Sequence, residues 1–391
     1  MTAVTDEELA ERAAAVARQL AERAAHHDAT AGFPADDVED LRAAGLLGLM
    51  VPTEMGGLGA GFAQYVAVAM VLAEASPATA LLFNMHVSVT GGLAGLTPEV
   101  AAALGADEHF SDQREQALRR AADGSFHAVA ISEPGIGSRL SQVRTTYEPH
   151  PDGYLLQGVK SPSSGASHAD AYLVAARSRS DEPRKISYFL VPAGDGVEVA
   201  GVWDPHGMRA TESLTVTLDT VVPRQALLGV EGVAVALAHL MPQWLVASYA
   251  AVYAGVALAA VRLGAEELTD RPGVSSAVRS RLGRADASAQ AAVLAVERAA
   301  LAVDRAPGEP ETNRWVYRAK LLAGDAAMDA AGSVAEACGL RVLQRGHPLE
   351  RMLRDARLGA VMPPRSDVCA DHLGTLALGL DPATTLEDPP W

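Results

Sequence analysis

Cysteine is almost missing from this chain. Cys338 and Cys369 are the only two, and no paired spacing supports a disulfide framework or a zinc site. Two buried, reduced thiols are expected, and no metal centre. Basic charge is scarce as well: 32 Lys and Arg stand against 48 Asp and Glu, a formal net charge of −16. Phosphate-backbone binding needs a basic face, which excludes nucleic acid as the main partner. An anionic cofactor held by a few local arginines is not excluded. Apolar runs of membrane-spanning length are lacking too. The nearest, 232–263, is interrupted by His239, Pro242, Gln243 and Arg262. The first residues are charged and amphipathic, with no apolar signal core. A cytoplasmic protein without a membrane partner is the expectation.

What is present is globular. The 391 residues are 49% hydrophobic and 20% charged, with aromatics at only 5%, enough to bury a large core in more than one domain. Alanine-rich tracts favour closely packed helices. Residues 1–125 read as helical. Asp6 is placed to cap a helix over 7–26 with Leu9, Ala13, Val16 and Leu20 on one face. Further helices are predicted from Pro34 to Ala44, over 62–74, and over 77–89 behind the cap Ser76 and the first-turn Pro77. From 126 to 231 the chain turns to short β-branched or aromatic runs. They lie at 126–131, 145–148, 154–160, 171–176, 186–192, 197–202 and 213–218, separated by Gly, Pro, Asp or Ser. That pattern predicts an antiparallel β domain, with Pro151-Asp152-Gly153 as a hairpin turn. Residues 232–391 read as a four-helix bundle: 233–268, with a break at Pro242, then 275–304, 311–338 and 367–378.

Several ordered motifs are laid over this frame. The first is Ala130-Ile131-Ser132-Glu133-Pro134-Gly135-Ile136-Gly137-Ser138. Its hydroxyls and backbone N–H groups suit hydrogen bonds to the polar edge of a ligand, and its glycines allow close approach. The others are Gly158-Val-Lys160-Ser161-Pro162-Ser163-Ser164-Gly165, Gly207-Met-Arg209-Ala-Thr211-Glu212-Ser213 and Pro348-Leu-Glu350-Arg351-Met-Leu-Arg354-Asp355-Ala-Arg357. Together they resemble the acyl-CoA dehydrogenase superfamily, from about Leu41 to Gly379. Ser164-Gly165-Ala166 and the run Val252-Tyr253-Ala-Gly255-Val-Ala257 are nearer its flavin-dependent monooxygenases, the dibenzothiophene monooxygenase type.

The resemblance implies an acyl-CoA dehydrogenase-like fold. Its parts are an N-terminal helical domain, a middle antiparallel β barrel-like domain and a C-terminal four-helix bundle. It also implies a homotetramer or homodimer with flavin, FAD or FMN, at the domain junction. Ser132, Gly137, Ser138, Ser163 and Ser164 become candidate flavin contacts, with Gly339, Arg365 and Asp367 in the C-terminal part. His86 lies where the family often places a cavity-lining histidine, although a lone helical histidine also serves structure. Arg365 could bind a terminal phosphate bidentately, which favours FMN, or sit in a surface salt bridge.

The departures matter most. Where many dehydrogenases carry the glutamate that removes the substrate α-proton, this chain has Pro363, which cannot act as a base. The alternative glutamate position falls on Gln243 or Trp244. Two enzymatic readings follow. One is a two-component monooxygenase that takes reduced flavin from a reductase and uses O₂ on a small organic substrate. The other is an acyl-CoA or acyl-carrier-protein dehydrogenase with a relocated base, Glu212 or Asp367. A third reading is a non-catalytic flavin- or acyl-binding homologue.

Overall fold

The computed structural model describes residues 4–385 apart from 106–107, 181–184, 245 and 270. The chain opens with α1 (Asp6–Thr30), α2 (Ala35–Ala43), α3 (Phe62–Ala75), α4 (Pro77–Gly95), α5 (Pro98–Ala103) and α6 (Glu108–Ala122). The cap of α1 is Thr5, not Asp6. Its hydroxyl accepts from the Glu8 N–H at 3.3 Å, and the Glu8 carboxylate accepts from the Thr5 N–H at 3.0 Å. A threonine three residues before a glutamate satisfies two orphan donors at once, which Asp6 could not match. Helix α4 runs past Val89 through Gly91 and Gly92. These glycines are tolerated because a ring lies on them: a Cβ at Gly91 would come within 2.4 Å of the Trp244 indole.

Among the described residues the middle segment holds eight strands: β1 (His127–Ala130), β2 (Thr146–His150), β3 (Gly153–Ser163), β4 (Ala171–Ser178), β5 (Ile186–Pro192), β6 (Val197–Ala200), β7 (Leu214–Val222) and β8 (Leu227–Leu228). The order is β6-β7-β3-β2-β4-β5-β8, with β1 beside β4. The sheet is mixed rather than antiparallel, because β4 pairs in parallel with both β1 and β2. Parallel neighbours need a crossover connection. The one leaving β1 begins with the 131–145 loop, which carries the Ser132–Ser138 motif.

The last segment comprises α7 (Ala234–Leu240), α8 (Ala247–Thr269), α9 (Ser276–Arg305), α10 (Pro310–Cys338), α11 (Pro348–Ala356) and α12 (Ser366–Ala377). A 3-10 turn at Pro242–Trp244 separates α7 from α8, where proline removes a helix donor. Helix α11, formed by the Arg-Asp-Ala-Arg motif, was not predicted as a helix. The run Pro242–Thr269 contains an 18-residue window long and apolar enough to cross a bilayer, yet 88% of that window is buried inside the fold. α8 packs against α3, α9 and α10. Its Gly255 sets the approach of α3: a Cβ there would lie 2.5 Å from the Met70 carbonyl oxygen and 2.7 Å from the Ala73 Cβ. Gly255→Ala should therefore cost about 1–3 kcal/mol through overpacking, read as a lower midpoint in chemical denaturation at unchanged m-value.

Candidate active site

The Arg-Asp-Ala-Arg motif does no chemistry in this structure; it joins three parts of the chain. Arg354 donates from Nη1 and Nη2 to both carboxylate oxygens of Asp28 on α1, at 2.9 and 2.6 Å. It also donates to Glu350 at 2.6 and 3.0 Å and to the His206 carbonyl at 3.1 Å. The Asp28 hydrogen bonds above all hold the guanidinium firmly protonated. The next residue, Asp355, is fully buried and accepts the Met208 N–H at 2.5 Å. Burial pushes its carboxyl up to about 6. Gly207 has no room for a side chain, since a Cβ would sit 2.4 Å from the Arg354 carbonyl oxygen. Arg209 donates to the Asp28 carbonyl at 2.8 Å and pairs with Asp204. Its role is this junction.

Past α11, residues 357–365 fold back towards the β1 crossover loop. The two enclose a cleft of about 280 Å³ lined by Gly135–Arg139 on one side and by Val361, Pro363, Pro364, Arg365 and Val368 on the other. Gly135 and Gly137 adopt φ of +81° and +64°, and a Cβ on either would meet nothing within 4 Å. The turn thus presents bare backbone to open space, with the Ser138 hydroxyl beside it. Ser132 is half-buried at the start of the turn, and its carbonyl accepts the Ser161 N–H at 2.8 Å. Glu133 does not face the cleft. It is buried, and its carboxylate gathers the N–H groups of Arg144 and Thr145, the Thr145 hydroxyl and the Lys160 ammonium, the last at 2.7 Å. Burial raises its pKa, but Lys160 and Thr145 outweigh that and hold it below the usual range.

Several expected contacts lie elsewhere. Ser163 is fully buried and donates its hydroxyl to the Val129 carbonyl at 3.0 Å, which braces β3 against β1. Ser164 is half-buried and shares a hydrogen bond with Ser213 at 2.9 Å, continued to Thr211 at 2.8 Å. Gly339 caps the C-terminus of α10 at φ +83° and does not line the cleft. Asp367 is exposed in the first turn of α12 and is engaged by Arg365 through two hydrogen bonds of 2.9 Å. That interaction holds its carboxyl below the usual range, making it a poor base. Glu212 is tied to Ser167 and His168.

His86 lies in the core, away from the cleft. It is fully buried, with Nε2 bonded to the Leu47 carbonyl at 2.7 Å and Nδ1 accepting the His127 N–H at 3.0 Å. Both nitrogens are used in holding α4 to its neighbours, so no lone pair remains for a substrate. Gln243 and Trp244 are also buried. Trp244 lines a second, apolar cavity of about 80 Å³ with Ser88, Leu93, Leu173, Tyr188 and Met241 among its walls. Sequence reasoning missed Lys160 as a structural partner of Glu133, although the Gly-x-Lys and Ser-Glu-Pro motifs each carry one of the two charges. It also missed Val361, Pro364 and Val368, whose apolar types carry no chemical signal.

The chain is similar to known proteins over nearly its whole length. The acyl-CoA dehydrogenase N-terminal domain matches residues 5–125, the middle domain residues 128–221 and the C-terminal domain residues 231–368. L-evernosamine nitrososynthase of Micromonospora sp. is 32% identical over 399 residues, spanning 94% of this chain and 89% of that protein. Acyl-CoA dehydrogenases are among the relatives as well. The FMN-bound TdsC of Paenibacillus sp. A11-2, a dibenzothiophene monooxygenase, superposes with a TM-score of 0.84 at 26% identity, over 95% of this chain and 97% of that one. KijD3, in complex with FMN and a dTDP-linked amino keto sugar, gives 0.86 at 26% identity over 96% and 94%. With three domain matches in order and a relative this similar over nearly its whole length, the chain belongs to the acyl-CoA dehydrogenase superfamily.

Proposed function

We propose that this protein is a flavin-dependent monooxygenase working with reduced flavin and O₂ on a small organic substrate. The observation that carries it is the make-up of the cleft. Among the described residues lining it there is no Asp or Glu, and Pro363, which the resemblance puts at the position of the usual base, is on its wall. The two carboxylates that could replace it are engaged by other side chains. Removal of an α-proton is therefore unsupported, whereas oxygenation needs no carboxylate base.

The residues fit a flavin. Gly135–Arg139 supply backbone and a hydroxyl for the polar edge of a ring system, and Val361, Pro363 and Pro364 supply an apolar face. Arg365 stands at the rim in an exposed ion pair with Asp367, the kind worth little in water. A terminal phosphate can take over that guanidinium, which favours FMN. Reduced flavin, once bound, supplies the electron pair that splits O₂: one oxygen atom enters the substrate and the other leaves as water. The chain's part is to exclude water and orient the substrate. Amine-bearing sugars are the first class to try, because an L-evernosamine nitrososynthase is 32% identical and an amino sugar nitrososynthase of Streptomyces rubradiris 29% identical.

The test is turnover by the purified protein given reduced FMN, O₂ and a panel of nucleotide-linked amino sugars and small aromatics. Incorporation of labelled oxygen into one of them is the expected result. Anaerobic bleaching of bound oxidised flavin by an acyl-CoA, without O₂ dependence, would overturn it in favour of dehydrogenation.

A further inference from the structure

Each wall of the cleft is tied down from behind by a buried lysine. Lys160 on β3 is fully buried, and its Nζ donates to Glu133 at 2.7 Å, to the Ala175 carbonyl at 2.6 Å and to the Ile131 carbonyl at 3.3 Å. All three ammonium protons are thereby placed. Glu133 in turn begins the cleft-lining turn. Its N–H donates to the Gly137 carbonyl at 2.9 Å, and its carbonyl accepts the Gly137 N–H at 3.0 Å. Where Lys160 holds Glu133 decides where Gly135–Arg139 lie.

The opposite wall repeats the device. Lys320 on α10 is fully buried and donates to the Gly359 carbonyl at 2.9 Å. Gly359 belongs to the segment that carries Val361, Pro363 and Arg365. That segment lies so close to α10 that a Cβ at Gly324 would come within 2.9 Å of the same Gly359 oxygen. Farther along, Cys369 donates its thiol to the Pro364 carbonyl at 3.6 Å. The charged or titratable groups acting on the two lysines are Glu133 on Lys160, and Cys369 and Asp325 on Lys320. A methionine would fill either site without the cost of burying an ammonium. Packing alone therefore does not account for either lysine.

We propose that Lys160 and Lys320 are positioning residues for the flavin, each fixing one wall of the cleft without lining it. This rests on the flavin reading above. Burial brings Lys160 down to about 8, against the pull of Glu133, so its hold on Glu133 weakens in mild alkali.

The test uses Lys160→Met and Lys320→Met. FMN affinity is measured by fluorescence quenching, and amide hydrogen exchange is measured on the flavin-free protein. Each substitution should raise the FMN Kd at least tenfold. Lys160→Met should speed exchange in 131–145 and leave 357–365 unchanged, and Lys320→Met should do the reverse. If a variant does not fold, wild-type exchange at pH 7 and pH 9.5, corrected for intrinsic rates, replaces it for Lys160, and Lys320→Arg replaces it on the other wall. An FMN Kd within twofold of wild type together with unchanged exchange in the matching wall overturns the proposal. If the wild type binds neither FMN nor FAD, the functional reading fails separately, and the exchange pattern alone decides whether the lysines set the walls.

Discussion

Arg354→Ala is expected to lower the unfolding free energy by about 3–5 kcal/mol, the usual cost of removing one partner from a buried ion-pair network. Three features put it in that class. The side chains of Arg354, Asp28 and Glu350 are only 14%, 17% and 13% exposed. The guanidinium bonds Asp28 through both carboxylate oxygens, the fork-to-fork geometry that ammonium cannot copy. Its removal leaves two carboxylates close together with little water. Arg354→Lys should recover only a minor part, because a point charge cannot face Asp28, Glu350 and the His206 carbonyl at once. Urea denaturation at pH 7.5 measures both variants. A loss under 1 kcal/mol for Arg354→Ala would mean that water replaces the guanidinium and that the three parts of the chain hold together without it.

This motif shows what the sequence revealed and what it withheld. Pro348–Arg357 pointed to the superfamily, and through it to the order of helical, β and helical segments. The reason such a motif recurs, a junction binding α1, the 204–209 loop and α11, depends on contacts between residues as far apart as Asp28 and Arg354. No local pattern encodes that pairing. Element positions were legible because capping, proline placement and apolar periodicity act within a few residues, as at Ser76-Pro77 for α4. Strand directions were not, since the parallel pairing of β1 with β4 is decided by a crossover forty residues long in sequence terms. At the site, Gly137, Ser138, Pro363 and Arg365 converge on one cleft. His86 and Ser163 lie outside it, both with backbone partners. Polar side chains in a motif read as ligands until the neighbours that satisfy them are known, and here those neighbours are backbone groups, the Leu47 and Val129 carbonyls and the His127 N–H.

The same buried histidine makes the protein acid-sensitive. His86 accepts an N–H at Nδ1 and bonds a carbonyl at Nε2, so only the neutral ring satisfies both partners; the imidazolium has no acceptor. Burial, helped by His127, drives its pKa down to about 3, and burial brings His127 itself to about 4. Both values lie below the unfolded value of about 6.5. The unfolded chain therefore binds more protons than the folded one below that pH, and stability falls as pH falls. The contribution is nearly complete above about pH 7 and is lost progressively towards pH 4 for His127 and pH 3 for His86. Two such groups cost roughly 4 kcal/mol between pH 7.5 and pH 5. Asp355 works in the opposite sense. Raised to about 6, it favours the folded state as pH drops below 6 and returns roughly 1 kcal/mol by pH 5. From these three groups the expected net loss is about 3 kcal/mol between pH 7.5 and pH 5, measured by urea denaturation at the two pH values; His372, brought down to about 4 by burial, adds to the loss in the same direction. His86→Gln, whose amide can donate to Leu47 and accept from His127, should remove about half of the histidine contribution and flatten the acid limb. Equal stability of the wild type at both pH values would show that these rings reach water, and the tight seam between α4 and β1 would have to be abandoned.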